Sequence, residues 1–182
     1  MKRRPAPPSR WASLLVLALV GAARVAPAQD ISPEYRVKAA YLYNFVRFVE
    51  WPSADSSAPL TICVAGRNPF GPVLDGLVSG EMVNARRLAT KVILEPARDC
   101  SVVFVPEGAT TGAYLRAAQG QPVLTVGESS TFIAQGGMVR FYIDGRNVRF
   151  EINPAAADQA GLRISSRLLQ LARIVDTRGS RP

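Results

Sequence analysis

The chain has 182 residues, a formal net charge of +8, two cysteines and no histidine. The missing histidine removes Ser-His-Asp and Cys-His nucleophile arrangements and nearly all familiar zinc sites. Most of the positive charge is local. Lys2, Arg3, Arg4, Arg10 and Arg24 surround the apolar run Trp11 to Ala23, which is followed by Ala26-Pro27-Ala28. This is the pattern of a secretory leader over 1–28, cleaved after Ala28. The apolar run falls short of the roughly 20 residues that span a bilayer, so no membrane insertion is expected after cleavage. Without those five basic residues the net charge falls from +8 to +3. No basic run or nucleic-acid motif remains, which argues against binding DNA or RNA. Residues 29–182 have the length of one domain.

Pro33 to Trp51 reads as a helix with two apolar stripes, one of Val37, Tyr41, Phe45 and Phe48 and one of Leu42, Val46 and Val49. Only Arg36, Arg47 and Glu50 mark a polar face. Such a helix is either wedged inside its own fold or keeps Tyr41, Phe45 and Phe48 for a partner, and its stripes permit a homodimer. Trp51-Pro52 ends it. Asp55 to Pro59 and the tail after Asp176 have loop composition.

Leu60 to Ala65 is a β-rich run that leads through Gly66-Arg67-Asn68-Pro69-Phe70-Gly71 into a short helix, Pro72 to Val78. The loop matches neither GxGxxG nor the Walker pattern, and no cofactor is expected. Arg87 to Leu94 is a weaker strand, and Ser101 to Val105 is the continuous apolar type buried in parallel sheets. A helix capped by Thr110 or Thr111 runs through Gln119. Pro122 to Val126 is a further strand, linked by Gly127-Glu128-Ser129 to a short helix over Thr131 to Ala134.

Cys63 and Cys100 lie in or beside two of these strands. In an oxidising compartment a disulfide between them is the default, closing 38 residues and contributing roughly 4 kcal/mol on the chain-entropy model.

Val139, Phe141 and Ile143, then Val148, Phe150 and Ile152, alternate about Asp144-Gly145 as a β-hairpin. A two-residue loop at Asp144 and Gly145 would set Arg140 against Arg149. A four-residue loop, Asp144 to Asn147, instead pairs Arg140 with Glu151, Phe141 with Phe150 and Ile143 with Val148, and is preferred. Asn153 and Pro154 start a helix that Gly161 closes. Ser165 or Ser166 caps a last helix, with Leu168, Leu169, Ala172 and Val175 on its apolar face.

Strands alternating with helices give an α/β sandwich whose mostly parallel sheet carries the hairpin at an edge and helices on both faces. Ligands in such sheets favour the loops after the strands. Here those are Gly66 to Phe70, Pro106 to Thr111 and Gly127 to Ser130, with Arg67, Asn68, Glu128 and Ser129 as candidate contacts. Glu128 is the best lone acid or base. Its ordinary role would be a solvated carboxylate at a helix start. Arg140, Arg149 and Glu151 form a charged hairpin face that either meets a partner or keeps a sheet edge soluble.

Several blocks carry a wider resemblance. They are Tyr41-Leu42-Tyr43-Asn44-Phe45 with Phe48-Val49-Glu50-Trp51-Pro52, Gly66 to Phe70, Gly120 to Val126, and Gly136-Gly137-Met138. Phe150-Glu151-Ile152-Asn153 and Ala160-Gly161-Leu162 through Ser165-Ser166-Arg167-Leu168-Leu169 complete the set. Together they span most of Tyr35 to Val175 and resemble the YfiR-like periplasmic family. The resemblance implies a Rossmann-like α/β fold without a dinucleotide fingerprint and a non-enzymatic regulator in the periplasm. Its partner would be the periplasmic sensor domain of an inner-membrane diguanylate cyclase or another sensor, linking envelope or redox state to cyclic-di-GMP and biofilm formation. Cys63 and Cys100 resemble the family's bridging pair. The second pair of some members has no counterpart here. A small-ligand-binding module using the strand-end loops is the alternative.

Overall fold

The computed structural model describes residues 30–52 and 58–175. The leader over 1–28, most of the Asp55 to Pro59 loop and the tail after Asp176 lie outside the described residues.

Among the described residues, an eight-stranded, mostly parallel sheet forms the centre. Strands β2 (Leu60–Ala65), β5 (Val102–Val105) and β6 (Leu124–Gly127) lie in its middle, and every residue in them is buried. Their unbroken apolar runs suit strands covered on both faces. Around them stand β3 (Met82–Val83), β4 (Arg86–Ile93), β7 (Val139–Asp144), β8 (Asn147–Ile152) and β10 (Arg173–Ile174), in the order β10-β8-β7-β6-β5-β2-β4-β3. A separate ribbon joins β1 (Val49–Glu50) to β9 (Arg163–Ile164). The helices are α1 (Pro33–Phe48), α2 (Val73–Val78), α3 (Thr111–Ala118), α4 (Pro154–Gln159) and α5 (Ser166–Leu171).

The two sheet faces are unequal. Leu60, Ile62 and Val64 of β2 join the larger core with buried residues of α1, α2, α4 and α5. Cys63 and Ala65 point the other way, into a smaller core with Tyr114 and Ala118 of α3 and with Phe132. Among the described residues, α3 alone supplies helical cover there.

Helix α1 begins where Ser32 accepts a hydrogen bond from the Tyr35 N–H and Pro33 fills the first turn. It ends at Phe48, not at Trp51. Val49 and Glu50 are extended and pair with Ile164 and Arg163, so strand pairing takes the β-branched Val49 before the Trp51-Pro52 signal acts. The C-terminus also departs from expectation. Helix α5 stops at Leu171, and β10 runs parallel to β8, with the Val175 N–H donating to the Ile152 carbonyl at 2.8 Å. The hairpin is therefore not the sheet edge. The outer backbone groups at the end of β8 are satisfied by β10.

Strands β7 and β8 set Arg140 opposite Glu151, Phe141 opposite Phe150 and Ile143 opposite Val148. Asp144 also faces Asn147, so the loop is Gly145-Arg146, two residues and not four. Gly145 has φ 61°, a conformation that a tight hairpin turn demands and glycine supplies cheaply. A second tight turn escaped the sequence reading. Asn84 and Ala85, at φ 50° and 63°, join β3 to β4, and alanine there carries no usual turn signal.

Thr131 to Ala134 forms turns in place of the expected helix. Its organiser is the wholly buried Phe132 ring. A Cβ at Gly127 would come within 2.2 Å of that ring and one at Gly137 within 2.1 Å, so two bare backbones grip the aromatic from either side. The segment curls to deliver this ring to the smaller core, and a regular helix is lost.

Candidate functional site

The carboxyl ends of β2, β5 and β6 are the classical ligand crevice of an α/β sheet. Here the first turns of α1 lie across them. The Tyr35 ring meets Phe70, from the loop after β2, edge-on at 5.5 Å, and Phe70 meets Phe104 of β5 at 4.9 Å. Lys38, one turn further on, is only 4 % exposed. It forms ion pairs with Glu34 on its own helix and with Glu128 after β6. Glu128, at 9 % exposure, also accepts hydrogen bonds from the Glu107 N–H at 2.8 Å and the Tyr35 hydroxyl at 3.3 Å. Three strand-end loops thus converge on one helix start.

Beside this knot is a cavity of about 330 Å³ bounded by Glu34, Tyr35, Lys38, Glu107, Glu128 and Arg140, with hairpin residues completing the wall. Burial first, then the charge of Glu128 and the hydrogen bond to it, pushes the Tyr35 phenol up to about 12 from an ordinary 10.0. The fold therefore holds the proton more tightly than the unfolded chain does. The associated stability is present below pH 10, the ordinary pKa of the unfolded phenol, and drains away as pH rises toward 12. Alkaline unfolding curves of wild type and Tyr35→Phe should diverge across that window, with the variant losing less. Parallel curves would contradict the assignment.

Glu128 is thus neither a solvated helix-start carboxylate nor a free acid or base. No helix follows it, and its oxygens are engaged by Lys38, Tyr35 and Glu107. Ser129 is half-buried and within 3.1 Å of the Thr131 hydroxyl. Asn68 is spent on its own turn, accepting from the Phe70 N–H at 2.9 Å and donating to the Gly71 carbonyl at 3.3 Å. Arg67 is exposed. The structure gathers only Glu128 of these four into the knot.

The proposed aromatic interface is interior. Phe45 is wholly buried, 5.7 Å from Phe141 and 5.1 Å from Phe150 in ring-to-ring distance, while Tyr41 lies 5.1 Å from Phe150. Phe48 is half-buried against the same core. The hairpin face is only partly open, because Glu151 is buried and accepts from Arg140 at 2.7 Å. Arg149 stays exposed, opposite Tyr142.

Lys38, Glu34, Tyr35 and Glu107 were not singled out from sequence. A signal existed for the first two, since Glu34 and Lys38 stand at i and i+4 and Lys38 falls on the same stripe as Tyr41 and Phe45. A lysine on an apolar stripe requires an anionic partner, but its identity, 90 residues away, depended on the fold.

Cys63 and Cys100 are joined by a disulfide with their Cα atoms 5.7 Å apart, inside the smaller core. A shallow groove of about 950 Å³ also runs between α3 and α4, with Arg116, Gln119, Gln135 and Gln159 over small residues. Among the described residues, no helix is long and apolar enough to cross a membrane and no acidic or sulfur cluster could hold a metal.

No curated protein sequence matches the chain. A conserved domain protein from Vibrio cholerae O1 biovar El Tor str. N16961 has a similar fold, with a TM-score of 0.51 at 13 % identity. The match covers 80 % of this chain and 60 % of that one, so this chain spans less than two thirds of its length. The family model described as YfiR/HmsC-like matches residues 35–173, from the tyrosine over the strand ends to the last edge strand, and the chain belongs to that family.

Proposed function

We propose that this protein is a periplasmic, non-enzymatic regulator. It binds the periplasmic sensor domain of an inner-membrane signalling protein, a diguanylate cyclase, and restrains it, lowering cyclic-di-GMP and biofilm formation. The observation that carries the proposal is the family match over residues 35–173, the family being one of periplasmic diguanylate cyclase regulators. The mostly parallel sheet, with α1 and α2 on one face and α3 on the other, supports a Rossmann-like sandwich as its scaffold. The leader-like start of the sequence supports export.

Regulation of this kind is a coupling free energy. The protein must bind the inactive arrangement of the sensor more tightly than the active one, and the difference sets how far the equilibrium moves. The competing small-ligand module would use the strand ends. There α1 covers the crevice, Glu128 is already engaged, and what stays open is the 330 Å³ cavity beside the knot, which weighs toward the regulator.

Deleting the gene should raise cellular cyclic-di-GMP, and pull-down with the protein should recover a membrane sensor. An unchanged level with no sensor captured would reject the proposal.

A further inference from the structure

Strand β6 ends before its neighbour does. It pairs with β7 only at Val126 with Val139 and Gly127 with Arg140, whereas β7 runs on to Asp144 and β8 follows it the whole way. Among the described residues, Phe141 to Asp144 therefore have a strand on one side alone. Antiparallel backbones bond at every second couple. The Asn153 N–H donates to the Met138 carbonyl at 2.8 Å, so Arg140, Tyr142 and Asp144 also turn their backbone groups to β8. Phe141 and Ile143 turn theirs the other way. Gly127 reaches no further than Arg140, which leaves the Ile143 N–H and carbonyl without a strand to meet among the described residues. In the line that β6 leaves is the cavity of about 330 Å³, walled by Phe141 and Ile143, by Glu34, Tyr35 and Lys38 of α1, and by Glu107. Glu128 diverts the chain there, because its bonds to Lys38, Tyr35 and the Glu107 N–H draw it out of line directly after β6.

We propose that a basic, extended segment of the sensor domain enters this slot as an added strand on β7, in the line that β6 leaves. The proposal rests on the regulator reading and names the surface it uses. Strand addition gives an extended chain main-chain hydrogen bonds and leaves its alternate side chains to meet the walls. Here Ile143 supplies the open donor and acceptor, and its side chain, 50 % exposed, offers an apolar contact. The walls select charge. Arg140 is taken up by Glu151, and Lys38 is shared between Glu34 and Glu128. Glu107 is exposed and in no ion pair among the described residues. Three carboxylates, Glu34, Glu107 and Glu128, thus stand against the one ammonium of Lys38, which attracts lysine or arginine side chains and repels acidic ones. The knot holds these walls in place beforehand, so only the incoming segment must be ordered on binding.

Magnetic-resonance titration of the purified protein tests the slot, with a blocked hexapeptide of alternating valine and lysine as the probe. The amide signals of Phe141 and Ile143 should shift saturably, and hydrogen exchange at the Ile143 amide should slow. A hexapeptide of alternating valine and glutamate should bind roughly tenfold more weakly. Ile143→Pro removes an outward-facing donor and should abolish binding. Glu107→Lys, at an exposed position, should weaken it roughly tenfold while leaving circular dichroism and thermal unfolding unchanged. No saturable shift, or lysine amide binding as tightly as the hexapeptide, would overturn strand addition. Pull-down separates the slot from the regulator reading. Wild type should recover a membrane sensor that Ile143→Pro and Glu107→Lys recover poorly. Equal recovery by all three overturns the proposal and leaves the regulator reading intact. Recovery by none of them overturns the regulator reading, and the occupant named here with it.

Discussion

Replacing both Cys63 and Cys100 with alanine is expected to cost about 4 kcal/mol of stability. The bridge joins residues 37 apart in sequence, between β2 and the start of β5, which are neighbouring strands. In the unfolded chain it forbids every conformation in which those residues separate, and the entropy lost by that ensemble grows with loop length. The loss should appear in urea unfolding as a lower midpoint, and as a steeper slope because the unbridged chain exposes more surface. Reduction of the wild type under native conditions should be slow, since both sulfur-bearing residues lie within the smaller core. A loss below about 1 kcal/mol would mean that the unfolded chain is constrained by something other than the bridge.

The second large effect is expected at Lys38. Lys38→Met removes the cation beside Glu128 while leaving that carboxylate buried, and an orphaned buried charge costs about 3–5 kcal/mol. Glu128→Gln in the Lys38→Met background should recover most of the loss. A neutral amide still accepts from the Glu107 N–H and the Tyr35 hydroxyl, and no unpaired charge remains. The test is a double-mutant cycle by denaturant unfolding. Strict additivity of the two single losses would show that the pair is not energetically coupled.

The central strands were legible because each is an unbroken apolar run, and the caps at Ser165 and Asn153 because a side-chain oxygen stood where a helix start needs one. The disulfide was legible from two cysteines beside strands. The errors share a physical origin in long-range pairing. Val49 leaves α1 because Ile164 waits more than a hundred residues away, and Arg173 leaves α5 because Glu151 offers a strand. Phe132 abolishes a local helix to reach a slot between two glycines. The candidate site was misread for the same reason. Glu128 sits in a loop that looks solvated until α1 is laid over it, and the aromatic stripe of α1 looks available until the hairpin rings are set against it.

The bridge between Cys63 and Cys100 closes the chain into a covalent ring that contains α2, β3 and β4. Tension applied at the two ends of the protein would pass from β2 to β5 through the sulfurs and bypass everything inside. Roughly 130 Å of extendable chain is thereby hidden from the load, at the reach of an extended backbone over those 37 residues. Strand β4, with its exposed Val92, lies within this sheltered ring. A contact made there would be spared the strain carried by the rest of the sheet for as long as the sulfurs stay joined.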